Sequence, residues 1–204
     1  MTQFATTHPQ AAPGQKLWTA DELEELRAGG ILDPDTTYEL IDGILYAMAG
    51  MNTPHYRASV NCMQLLMDGL SREQYLITQE LPVRLSPMNE PKPDLCVFRG
   101  SRSDLLGRDA PLGADDVAVV IEISDSSYRH DSTTKLSVYA LERLPEYWIV
   151  NIPERTVEVH TGPNSKALDG EIVGIYDQTS IYREGKTLES TLGAFAVSDL
   201  LEYV

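Results

Sequence analysis

Val117-Ala118-Val119-Val120-Ile121-Glu122-Ile123 is the stretch on which the fold turns. Five of its seven residues are β-branched and only Glu122 is polar. A nearly unbroken apolar run of this length reads as a central strand buried on both faces. Glu122 is the anomaly. A carboxylate inside such a strand is costly unless it is paired, protonated or bound to a metal.

Upstream of that strand, strand-like runs are expected at 75–80, 82–85 and 94–98. The polar, Gly-containing stretch from Arg99 to Asp116 separates them from it. Downstream, a loop from Ser124 to Arg129 leads to a helix at about 131–143. Tyr147-Trp148-Ile149-Val150 and Thr156-Val157-Glu158-Val159-His160 follow as strands joined by Asn151-Ile152-Pro153-Glu154. The tail offers a strand near 172–176, a Glu184-Gly185 turn and an apolar end at Leu200 and Leu201.

Toward the N-terminus, Thr19-Ala20-Asp21-Glu22 is a capping box. Its helix carries Leu23 and Leu26 on one face and stops at Gly29-Gly30. Tyr38–Ile41 and Ile44–Ala47 flank Asp42-Gly43, the strongest short hairpin signal. Residues 54–70 read as a helix, with Pro54 in its first turn and Val60, Met63, Leu66 and Met67 at helical spacing. Residues 1–16, rich in Thr, Gln, Ala and Pro, read as a disordered lead, and 17–204 as a single domain. The order of elements predicts an α/β domain with a mixed sheet.

The chain has 204 residues and a mass of 22.6 kDa, enough for one sizeable core. Sixteen Lys and Arg against thirty-one Asp and Glu give a formal charge of −15. That charge disfavours a tight non-specific nucleic-acid binder, since phosphate affinity comes from clustered cations. It leaves room for a nuclease whose acidic groups hold metal. Cys62 and Cys96 are too few for a disulfide framework and lack zinc spacing, so both are expected as buried thiols. No apolar run reaches 18 residues and the start has no signal-peptide pattern, so a cytoplasmic protein is expected.

The chemistry concentrates in acidic residues at strand ends and one lysine. Pro93-Asp94 opens a strand and Glu122 ends the central one. If those strands pair, two carboxylates lie side by side, and a divalent cation resolves their repulsion. Mg²⁺ commonly binds through one or two carboxylates, waters and substrate phosphate. The carbonyl of Ile123 would add a ligand. Asp131, Lys135 and Tyr139 fall at i, i+4 and i+8 on one helix face, where Lys135 could orient or deprotonate an attacking water. Glu39 and His55 are further candidates, and Tyr139 a supporting or substrate-facing one. Tyr147 and Trp148 are read as sheet packing.

Tyr38-Glu39-Leu40-Ile41-Asp42-Gly43, Pro93-Asp94-Leu95, Val120-Ile121-Glu122-Ile123-Ser124, the Asp131/Lys135/Tyr139 ladder and Pro145-Glu146-Tyr147-Trp148-Ile149-Val150 occur in an order that resembles the Uma-two family of candidate restriction endonucleases. That family belongs to the PD-(D/E)XK, restriction-endonuclease-like superfamily. The resemblance spans roughly residues 17–203. It implies a mixed central sheet flanked by helices, with an N-terminal helix and β-hairpin. It also implies Asp94 and Glu122 as ligands of Mg²⁺ or Mn²⁺, phosphodiester hydrolysis, and a homodimer. The chain departs from the superfamily pattern at Ser124, where a lysine is expected two residues after the acidic one. The resemblance points to Lys135 in its place. Ser124-Asp125-Ser126-Ser127 also replaces the family's more usual Ser-Pro turn.

Three functions follow from this reading. The first is a metal-dependent endonuclease binding DNA weakly or sequence-specifically, with no membrane partner. The second is a catalytically silent interaction or regulatory protein on the same fold. The third is a metal-dependent hydrolase for another phosphoester or a small molecule. The basic residues Arg57, Arg72, Arg84, Lys92, Arg99, Arg102 and Arg108 are scattered along the chain.

Overall fold

A computed structural model describes residues 14–48, 50–202 and 204. Most of the lead expected at 1–16 lies outside the described residues. A six-stranded sheet forms the centre, in the order β3 (Tyr75–Gln79), β4 (Leu95–Arg99), β5 (Val117–Ser124), β6 (Glu146–Asn151), β7 (Thr156–Leu168), β8 (Glu171–Arg183). Only β5 and β6 run parallel. Their connection is the expected helix, built from α4 (Tyr128–His130), a π-turn (Asp131–Lys135) and α5 (Leu136–Leu141). The mixed sheet is therefore present, and all eight residues of β5 are buried.

Alternation along the strands divides the core in two. Val119, Ile121, Ile123, Trp148 and Val150 face α2 (Thr53–Gly69), α6 (Val197–Leu200) and Phe195. Cys96, Phe98, Val120, Tyr147 and Ile149 face α5, with Tyr139, Ala140 and Leu144. The helix α5 lies close on β8, where Gly174 N–H donates to Ser137 Oγ at 2.9 Å. A Cβ at 174 would collide with the Ser137 carbonyl, so this position requires glycine.

The N-terminal elements follow the sequence reading closely. In α1 (Ala20–Ala28) both halves of the Thr19/Glu22 capping box are made. β1 (Tyr38–Ile41) and β2 (Ile44–Ala47) pair around Asp42 (φ 50°) and Gly43 (φ 74°), the two positive φ values a tight hairpin needs. A bridge between Leu40 and Glu90 ties this hairpin to the segment leading into β4.

One expectation needs correction, and two elements differ in detail from their sequence pattern. The run 82–85 is not a strand; Arg84 makes only an isolated bridge to Gly113. The helix at 54–70 buries Ala58, Ser59, Cys62 and Leu66, whereas Val60 and Met67 are exposed. Small residues let the helix settle close to the sheet, and that closeness outweighed the bulk of Val60 and Met67. The strand near 172–176 is part of a 13-residue strand paired with an equally long partner. That hairpin turns at Asp169-Gly170, both with positive φ. Beyond it, β9 (Thr187–Ser190) and β10 (Gly193–Ala196) form a separate two-stranded ribbon.

Candidate active site

The antiparallel register pairs Leu95 with Ile121. One step further along it, Asp94 stands opposite Glu122. The Ile123 N–H donates to Asp94 Oδ2 at 2.7 Å. In an extended strand the N–H and C=O of one residue face the same edge, so the Ile123 carbonyl also turns toward Asp94. The Asp94 Oδ2 atom further receives His55 Nε2 at 3.2 Å. His55 is brought there by the first turn of α2, which Asn52 caps.

Behind this pair, Lys135 spans two buried carboxylates. Its Nζ lies 3.0 Å from Glu122 Oε1 and 3.1 Å from Glu39 Oε2. Tyr139 donates its hydroxyl to the same Glu122 oxygen at 2.6 Å. Lys135 is only 2% exposed, so it comes from inside the protein and not from a surface helix face. Burial of the ammonium favours its neutral form, but the Glu122, Glu39 and Asp131 carboxylates outweigh that and hold Lys135 firmly protonated. Burial pushes Glu122 well above the usual carboxylate range; Lys135 opposes that shift, and the neighbouring carboxylates add to it. Glu39 moves the other way. Burial would raise it, but His130, Lys135 and the Lys92 N–H together hold it low.

The π-turn sets which side chains share the cleft side of this helix. An ordinary helix would turn residues five apart about 140° from each other; the wider turn swings His130 round toward Lys135, and both border the cleft. Asp131 Oδ2 accepts from Ser124 Oγ and Ser127 Oγ, both at 2.6 Å. Ser124, at the superfamily's lysine position, therefore serves as a hydroxyl clamp between the end of β5 and the start of the helix. The loop after it is tied to α2 as well, since Asn52 donates to Asp125.

A cleft of about 510 Å³ opens over these groups, lined by Glu39, His55, Asp94, Glu122 and Lys135. Of the residues singled out from sequence, these five come together on it. Ile123 does not line the cleft and contributes its backbone N–H, donated to Asp94, and Tyr139 is fully buried behind Glu122. Sequence reasoning missed His130 and the Lys92–Glu80 pair (3.0 Å), which also border the cleft. Lys92 had a readable signal, being two residues before Asp94. His130 had none, because an α-helix would turn it about 140° from Lys135. Three of the scattered basic residues are engaged elsewhere. Arg84 pairs with Asp21, Glu24 and Glu90, Arg108 with Asp116, and Arg99 donates to the Val117 carbonyl.

The donor set fits a hard divalent cation. Asp94 and Glu122 are adjacent oxygen donors, and the Ile123 carbonyl faces the same edge. Among the described residues no three His, Cys, Asp or Glu side chains gather as a metal cluster. Two carboxylates with a carbonyl match the partial, water-completed shell of Mg²⁺, and they do not match a closed zinc site.

The arrangement defines a nuclease-like fold. A solved structure from Anabaena variabilis, described as "a putative nuclease belonging to DUF820", is similar with a TM-score of 0.65. It shares 15% identity, over 90% of this chain and 97% of that one. The family model described as "Putative restriction endonuclease", Uma2, matches residues 20–196, and the chain belongs to that family. No curated protein matches the chain. No described helix is long and apolar enough to cross a membrane.

Proposed function

We propose that the protein is a Mg²⁺- or Mn²⁺-dependent endonuclease that hydrolyses phosphodiester bonds in DNA. The observation that carries this reading is the pairing of Asp94 and Glu122 at one cleft edge, with Lys135 buried between Glu122 and Glu39. Asp94, Glu122 and the Ile123 carbonyl would hold the cation, which when bound supplies Lewis acidity and lowers the pKa of a water.

The remaining work falls to the chain itself. Lys135 keeps its proton, so it acts as a fixed positive charge that orients water and offsets charge on the phosphate. It is not the base. Glu39 accepts from Lys135 and from the Lys92 N–H, and so fixes where that charge points. His55 and the Ile123 N–H share one oxygen of Asp94, leaving Oδ1 to face the cleft. Tyr139 locks the rotamer of Glu122 from behind. A homodimer would present two such clefts to the two strands of a duplex, and the protein would act in the cytoplasm.

The test is thermal unfolding with and without millimolar Mn²⁺, combined with cleavage of plasmid DNA. A ligand bound only to the native state stabilises by about 2.7 kcal/mol at a hundred times its Kd. Wild type is expected to gain stability with Mn²⁺ and to nick DNA. Asp94→Ala combined with Glu122→Ala should do neither. A wild type indifferent to Mn²⁺ and Mg²⁺ would overturn the reading.

A further inference from the structure

Seven carboxylates line the cleft against two lysines and two histidines. Both lysines are spent, Lys92 on Glu80 and Lys135 on Glu39 and Glu122. His55 is spent on Asp94, and its other nitrogen is shut off from solvent with no partner among the described residues. A polyanionic substrate therefore meets a cleft whose basic side chains are already engaged, with one exception.

That exception is His130. Its ring sits 5.0 Å from the ring of Tyr46, which limits its rotation. Its Nε2 faces Glu39 Oε1 at 3.8 Å. Both atoms are buried, and neither has a hydrogen-bond partner among the described residues. A gap of 3.8 Å is too narrow for a bridging water, so the two groups are poised to close on each other. Buried polar atoms left unpaired cost about 1–3 kcal/mol each, and closure would recover that loss. The opposite nitrogen, Nδ1, is neither bonded to a described residue nor among the buried unpartnered atoms, and the side chain is 29% exposed. Glu39 and Tyr46 thus hold one end of the imidazole while the other opens to the cleft.

We infer that His130 is a phosphate-contacting residue of this cleft, donating from Nδ1 to a non-bridging phosphodiester oxygen while Glu39 holds Nε2. The inference rests on the nuclease reading for the identity of the ligand, though not for the geometry. It assigns Glu39 a double duty. Its Oε2 fixes Lys135, and its Oε1 fixes His130, so one carboxylate sets the spacing of a lysine and a histidine. The hairpin β1–β2, which supplies both Glu39 and Tyr46, becomes part of the substrate-binding wall.

The test is an NMR titration of the four histidine rings with the dinucleotide pTpT in the presence of Ca²⁺. It is paired with a cleavage assay in Mn²⁺ on wild type, His130→Ala and His130→Gln. The His130 ring nitrogens are expected to shift on titration. His130→Ala should weaken pTpT binding roughly tenfold, the loss of one charge-assisted hydrogen bond, while the metal-induced rise in thermal midpoint persists. His130→Gln, which retains a donor, should recover part of that loss. A His130 ring that stays still while pTpT binds elsewhere, or does not bind, overturns the inference whether or not DNA is cut. A shifted His130 ring with no cleavage by wild type sustains it and removes the nuclease reading.

Discussion

The two faces of the central sheet each bury carboxylates, and they treat them differently. On the α2 face the fully buried Glu146 is saturated. Its Oε1 accepts from Trp148 Nε1, and its Oε2 accepts from the Thr191 N–H and hydroxyl. Around it the core is aliphatic and aromatic, closed by Trp148 against Phe195. On the α5 face, Glu122 shares a single oxygen with Lys135 and Tyr139, and Glu39 keeps one oxygen unpartnered. Among the described residues, three of the five buried side-chain atoms without a partner, on Glu39, His55 and His130, belong to residues lining the cleft. A carboxylate that only supports structure has its hydrogen bonds completed. Carboxylates left incomplete, at a cost the rest of the fold must offset, mark where a ligand is awaited.

If this contrast is correct, the α2 face should respond to mutation through stability alone. Trp148→Ala empties a fully buried site and removes a donor from Glu146. It should cost about 3–5 kcal/mol, read as a lowered urea midpoint, while the Mn²⁺-induced shift in midpoint persists. On the other face, Lys135→Met leaves two buried carboxylates without their cation. Breaking such a pair costs about 3–5 kcal/mol when one partner is removed. Adding Glu39→Gln and Glu122→Gln to that variant should return much of the loss without restoring cleavage. A single-partner loss with no recovery in the triple variant would mean that Lys135 is there for packing.

Glu122→Gln alone sharpens the comparison. It keeps the shape and the acceptor for Tyr139 while relieving the burial of a charge. Denaturation should show a smaller loss than for Lys135→Met, because Lys135 keeps Glu39 as its partner, with the Mn²⁺ response gone.

A milder effect is expected at Glu158, on the same face but outside the cleft. Burial would raise its pKa, yet His160 and the Tyr128 hydroxyl, which donates at 2.7 Å, hold it below the ordinary value. A depressed folded-state pKa adds stability above the unfolded value near 4.5, and that stability is lost as pH falls through the folded value. The thermal midpoint of wild type should thus fall more steeply than that of Glu158→Gln below about pH 4.5, and the two curves should converge in acid. Parallel curves would show that Glu158 titrates as in the unfolded chain.

The smallest change belongs to the outward side of α2. Val60→Ser and Met67→Ser should each alter stability by no more than about 0.5 kcal/mol, because both side chains are exposed.

Local chemistry made much of this fold readable. The Thr19/Glu22 box, the Asp42-Gly43 turn and the β-branched run 117–123 each act over a few residues, and each formed as written. Asp169-Gly170 carries the same turn signal as Asp42-Gly43. Its signal is weaker because Gly162 and Pro163 interrupt the apolar pattern of the strand that leads into it. The pairing of Asp94 with Glu122 was also accessible, since it requires only that two short strands be antiparallel neighbours.

What the chain could not announce are features set by how closely elements approach. Ala58, Ser59 and Cys62 won the buried face of α2 through their small size against the sheet, a property of the interface and not of the helix. Lys135 lies on an ordinary helical ladder in sequence, yet its burial between Glu39 and Glu122 depends on a hairpin 90 residues away and on a π-turn, which leaves no periodic trace. His130 reaches Glu39 for the same reason. By itself the sequence determined the strands, the caps and the acidic pair, because those follow from backbone preference and alternation. Tertiary structure alone decided which charges are buried, which are completed and which are left open, because burial and pairing arise only when distant segments exclude water together.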